Sequence, residues 1–312
     1  MSGDPAREYA QKTYDVIYGE MLNRKPTSDG QNTLVIIGEE HVDPFEFKDM
    51  EPARQALYAH ISALSAAKNI VGSDNVILSV EMDEETLKHA IRGISQGIPN
   101  HLQDRPMAHT IKYALDNNIR MVASDTLGLH PSFQEYDNSS ELRNYAQHKN
   151  IIETAQENSE AYIVHIGGML HLSNLQGYSN EEVIAANGQL SYDPEKSPFK
   201  DHYAHQFFIN ASHLSDYEIN SAESRREKES NPFSEFHALL AEFNYASNKD
   251  NALQINPPYY AEHRRGEDIV SYIEDAAKQQ MNKENSIMNG EDLSTTAPNL
   301  QQPRSIMRLP VQ

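Results

Sequence analysis

Two glutamates and two histidines stand where a parallel sheet would bring chemistry together. LVIIG (34–38) runs into Glu39-Glu40-His41, and NVILSV (75–80) runs into Glu81. IRMVAS (119–124) runs into Asp125, and AYIVHIGG (161–168) is followed by Met-Leu-His171. In an open parallel sheet, ligands bind outside the carboxyl ends of the strands. If these four segments are neighbouring strands, their terminal side chains face one crevice, with Asp125 beside substrate. Residues i and i+2 of an extended segment share a face, so Glu39 and His41 are expected to project together and Glu40 away from them. The Gly167-Gly168 pair is expected to turn the chain sharply and carry His171 back over the sheet.

Glu39, His41, Glu81 and His171 suit two kinds of chemistry. In metal-free hydrolysis, a carboxylate or imidazole activates water while a histidine steadies the oxyanion or protonates the leaving group. Alternatively, two histidines and two glutamates can ligate a divalent zinc, manganese or cobalt ion. One ionisable residue after a strand is usually only a polar loop residue. The repetition after successive strands is what suggests a site. His165, inside its strand, reads as a hydrogen-bonded core histidine. His60, His89, His101, His109 and His237 lie in helical or loop text and are expected at the surface.

The elements that position these residues alternate between strand and helix. Helices are expected over Pro5 to Leu22 (with Asp4 as N-cap), Glu51 to Lys68, 83–96, Ala108 to Asn117 and Glu141 to Asn158, the last capped by Ser139 or Ser140. YAHQFFIN (203–210) reads as a fifth strand, and Phe233–Tyr245 and Asp268–Gln280 as outer helices. This alternation predicts an α/β fold: a mostly parallel central sheet with helices on both faces and extra C-terminal helices. One domain is expected over 1–280. From 281 to 312 the text is rich in Asn, Gln, Ser, Thr and Pro, and it reads as a disordered tail.

Composition narrows the function classes. The 312 residues carry 26 Lys+Arg against 46 Asp+Glu, a formal net charge of −20. That field repels phosphate backbones and anionic lipid surfaces, so no nucleic-acid partner is expected. The absence of cysteine removes disulfides, thiolate zinc sites and Cys nucleophiles. No apolar run reaches the roughly 18 residues of a membrane span. The N-terminal text carries charges throughout, so the chain is expected in the cytoplasm or exported by a signal-independent machine.

The segments IIGEEH (36–41), VEM (80–82), LRNYAQHKNI (142–151) and HIGGMLH (165–171) together resemble the erythromycin esterase / ChaN / Tiki-TraB superfamily. The resemblance covers roughly residues 33–175. It implies that Gly38, Glu39, His41, Glu81, Arg143, Gly168 and His171 occupy the family's motif positions. It also implies that Arg143 anchors substrate or orients a carboxylate. The implied activities are diverse: esterases, metal-dependent proteases, haem-binding lipoproteins, and toxin domains that cleave a peptide bond in a host protein. Two expectations follow. The first is a hydrolase of amide or ester bonds acting on a protein or small molecule, with Glu39 or Glu81 as base and His41 and His171 assisting. The alternative is a non-catalytic haem- or ligand-binding protein, in which Tyr259, Tyr260 or a histidine ligates iron.

Overall fold

A computed structural model of the chain describes residues 4–27, 29–39, 51–103, 105–125, 139–168, 195–211, 251–254 and 264–288, with His171, Leu175 and a few others between 177 and 186. Helix α1 spans Pro5–Leu22, and the Asp4 side chain caps it by accepting from the Ala6 N–H. Strand β1 is Asn32–Glu39 and helix α2 is Glu51–Val71. Strand β2 is Val76–Val80, followed by α3, Glu84–Ile94, and α4, Pro106–Asp116. Strand β3 is Arg120–Ala123, α5 is Ser139–Gln156 and β4 is Tyr162–Gly168. Strands β5, Tyr203–Asn210, and β6, Ala252–Gln254, precede α6, Gly266–Met288.

The six strands form one sheet in the order β3-β2-β4-β1-β5-β6, and every pairing is parallel. The apolar runs are two-sided, as strands covered on both faces must be. One face carries Val35, Ile37, Leu78, Val80, Val164, Ile166 and Phe207, packed with α1, α2, α3, α4 and α6. The other carries Leu34, Ile36, Ile77, Ile163 and Phe208, packed with Ile151 and Ala155 of α5. The predicted α/β architecture is therefore the observed one.

The connections fix where a crevice opens. The chain leaves β2 through α3 on the first face and leaves β3 through α5 on the second. Where neighbouring strands send their connections to opposite faces, the carboxyl ends separate. In this sheet the gap lies between the ends of β2 and β3, at Glu81 and Asp125.

Several boundaries differ from the reading of the sequence. Helix α6 continues to Met288, so the first residues assigned to the tail are helical. In 281–288 Met281, Ile287 and Met288 are apolar and the rest polar, so the stretch lacks the apolar stripe that marks a helix in sequence. Helix α5 begins at Ser139, which places Ser139 and Ser140 inside it rather than at its cap. The helix expected at 233–245 and residues 289–312 lie outside the described residues. Strand β6 had too few residues to stand out from loop text. Among the described residues, no helix is long and apolar enough to cross a membrane.

Candidate active site

Glu81 is the centre of the described site. Its backbone N–H donates to Ile166 O at 3.1 Å, extending the β2–β4 ladder by one residue. Its side chain follows Ile77 and Ser79 onto the α5 face and is 2% exposed. Arg143, on the first turns of α5, reaches down to meet it. The guanidinium Nη2 contacts Glu81 Oε1, and Nε donates to Asp125 Oδ2 at 2.9 Å. Asp125 is fully buried at its side chain, held by its own N–H to Met82 O at 3.1 Å. One guanidinium thus bridges the carboxylates that end β2 and β3. The planar fork of Arg suits this two-acceptor geometry.

Three further groups surround Glu81. The Gly168 N–H donates to its Oε2 at 2.5 Å, and His171 Nε2 lies 3.2 Å from its Oε1. His171 is oriented by Asn144 Oδ1, 2.5 Å from Nδ1. His165, wholly buried, bonds Ser79 through Nδ1 at 3.1 Å. Desolvation lowers its pKa to about 4, against the raising pull of Glu81. The expectation of a hydrogen-bonded core histidine holds, and its Nε2 also has no hydrogen-bond partner.

Gly167 lies between these groups for a steric reason. A Cβ at this position would come within 3.0 Å of both Glu81 Oε2 and His165 Nε2. The Gly167-Gly168 pair does not form the expected turn: both residues remain in β4. Their value is close approach, with Gly167 leaving room for the carboxylate and Gly168 offering its N–H.

Glu39 does not share this pocket. Period-two alternation carries it, with Val35 and Ile37, onto the opposite face, so of the four residues expected in one crevice Glu39 faces away from Glu81 and His171. There it is 8% exposed and faces His60 of α2, with Nε2 3.3 Å from Glu39 Oε2. His60 is completely buried and His109 nearly so, at 0% and 3% exposure, not on the surface as expected. Their helices, α2 and α4, are packed against α1, α3 and α6, which covers both rings although His109 borders an open cavity. Burial lowers the His60 pKa to about 3. His89 is exposed, as expected. His41, Glu40, His237, Tyr259 and Tyr260 lie outside the described residues.

Reading the sequence missed Asn144, Gln147, His60 and Thr110. The first two share the sheet-facing stripe of α5 with Arg143 and Ile151. A buried stripe of polar residues at helical spacing was the available signal. A shallow cavity between α4 and α6, lined by Lys112, Asp116, Glu267 and Glu274, holds none of the predicted site residues.

A divalent metal does not fit the described donors. Arg143 already supplies the cation between Glu81 and Asp125, and both Glu81 oxygens are engaged. Among the described residues, no group of three or more histidines and acids is arranged to hold a metal ion. Compared with family models, curated proteins and solved structures, the chain has no match.

Proposed function

We propose that the chain is a hydrolase of amide or ester bonds that works without a metal at Glu81. The observation that carries this reading is the buried Glu81, with Arg143, the Gly168 N–H and His171 all directed at its carboxylate. Such donors favour the ionised form. Arg143 is shared with Asp125, and Glu81 is the carboxylate placed to take a proton from the attacking water. His171, held by Asn144, is placed to steady the oxyanion that forms as water adds to the carbonyl carbon. A peptide bond within another protein, cleaved by a toxin-like effector, is the narrower form of the reading. It rests on the resemblance of residues 36–41, 80–82, 142–151 and 165–171 to that superfamily.

The test is turnover by the purified full chain on a panel of aryl esters and peptides. Glu81→Gln and His171→Ala should lose turnover while circular dichroism stays that of the folded parent. Undiminished turnover in Glu81→Gln, or no turnover by the parent on either bond class, overturns the reading.

A further inference from the structure

His165 is wholly buried and bonded at one nitrogen only. Its Nδ1 meets Ser79 Oγ at 3.1 Å, and its Nε2 has no hydrogen-bond partner. Gln147 of α5 is also wholly buried, and neither polar atom of its amide has a partner. The two residues belong to one layer. Helix α5 runs against the strand direction, from Arg143 over Glu81 to Ala155, whose carbonyl accepts from Asn32 Nδ2 at 3.0 Å. Gln147 is one turn from Arg143, about 5.4 Å along the helix. Ser79, the register partner of His165, is two residues back from Glu81, about 6.6 Å along the strand. Two buried, unbonded polar groups in one layer of the interior mark a place for a polar guest.

Gly167 makes the room. The point where its Cβ would stand lies 3.0 Å from both Glu81 Oε2 and His165 Nε2. The two atoms are therefore no more than twice that distance apart, yet they do not bond each other. One water spans such a gap with two hydrogen bonds of ordinary length. Ser79 sets the direction of those bonds. Its hydroxyl has His165 Nδ1 as its one partner, so it uses its proton only by donating to that nitrogen. Burial lowers the His165 pKa to about 4, which keeps the ring neutral at neutral pH. A neutral ring that accepts at Nδ1 carries its proton at Nε2.

We propose that His165 Nε2–H and Glu81 Oε2 together hold the attacking water over Gly167. The inference rests on the hydrolase reading above and adds to it the group that fixes the water. The water accepts from Nε2–H and donates one hydrogen to Oε2, which leaves a lone pair for the carbonyl carbon. As the oxygen–carbon bond forms, Glu81 takes that proton. As the adduct collapses, the leaving nitrogen or oxygen takes the proton from Glu81, which restores the carboxylate. His165 keeps its own proton throughout.

High-resolution crystals of the full chain should hold an ordered water within hydrogen-bond distance of both Glu81 Oε2 and His165 Nε2. In protein with 15N-labelled histidine, long-range 1H–15N correlation at neutral pH should show His165 neutral with its proton on Nε2. The resonance is assigned by its loss in His165→Gln. Density without that water, an Nδ1–H tautomer or an imidazolium overturns the proposal. A parent chain without turnover on either bond class overturns the hydrolase reading, while the density and the tautomer still decide the water site. Where turnover is measured, His165→Leu should lower kcat by on the order of 100-fold with KM little changed, because a misplaced nucleophile slows the step and not the binding. His165→Gln, whose amide nitrogen reaches the place of Nε2, should recover part of that loss. Equal loss in both variants, or a raised KM with kcat unchanged, overturns the proposal. Should His165→Leu not fold by circular dichroism, the density and the tautomer carry the test.

Discussion

Glu39 and Glu81 lie on opposite faces of the sheet, separated by the end of one strand. Gly168 of that strand is the register partner of Glu39 and gives its N–H to Glu81. Each carboxyl therefore has its own neighbours, His60 for one and Arg143 with His171 for the other. Their roles can be separated by substitution.

Arg143→Ala should be strongly destabilising. It leaves the side chains of Glu81 and Asp125, 2% and 0% exposed, as buried charges without their shared cation. Breaking a buried ion pair from one side costs roughly 3–5 kcal/mol. Urea unfolding measures it. Arg143→Ala combined with Asp125→Asn should recover part of the loss, and a purely additive double variant would contradict the bridge.

Gly167→Ala places a methyl 3.0 Å from Glu81 Oε2 and His165 Nε2. Both belong to a tightly packed site, so the carboxylate must shift. A loss of about 1–3 kcal/mol is expected from overpacking, with turnover falling further than stability alone explains. Unchanged kcat in a folded Gly167→Ala chain would contradict the placement of Glu81.

Acid should weaken the fold through two histidines. Burial depresses His165 to about 4 and His60 to about 3, from an ordinary value of 6.5. Between the depressed and ordinary values the unfolded chain binds protons that the folded chain refuses. Stability is therefore complete above 6.5 and falls as pH drops from there towards 4. Each histidine contributes a slope of up to roughly 1.4 kcal/mol per pH unit. Urea unfolding across this range should flatten in His165→Gln. An unaltered slope would show that the ring titrates normally.

Truncation separates helix from tail. Gln280 bonds Glu284 at 3.0 Å, and Tyr18 of α1 contacts Glu284 by hydrogen bond. Ending the chain after Met288 should leave the melting temperature within a few degrees. Ending it after Gln280 should lower the midpoint more, by removing the turns that reach α1. Equal melting of the two truncations would show that residues 281–288 contribute nothing.

Chelation should leave hydrolysis unchanged, since Arg143 stands where a cation between Glu81 and Asp125 would be. Activity lost to a chelator and restored by zinc or manganese would return Glu81 and His171 to the role of metal ligands.

The strands were legible because burial on both faces leaves nearly continuous apolar text, as in LVIIG and YIVHI. The convergence of Glu81, Asp125 and His171 was legible because each follows a strand at the same sheet edge, whereas Arg143 was expected there only through the resemblance. Facing was harder to read. A fully apolar strand carries no alternation, so nothing in LVIIG tells which face Glu39 continues. His60 was misplaced for a related reason: a helix covered by other helices reads like an ordinary amphipathic one until its neighbours are known. Asn144 and Gln147 look like surface residues in isolation, because what buries them lies far away in the chain.

The strand order has a consequence for how the chain comes into being. Strands β1 and β2 are made early, yet neither touches the other; β4 must slot between them, pairing Thr33 with Tyr162 and Val76 with the same tyrosine. A nascent chain that has emerged only as far as β3 therefore has two open edges flanking an empty lane, the kind of exposed pairing surface that invites misassembly. Contacts this distant in sequence also slow folding. The last strand to enter that lane is the one that carries Gly167, Gly168 and His165. Closing the sheet and seating Glu81 are thus a single event, so a half-made chain has no half-made cluster around Glu81.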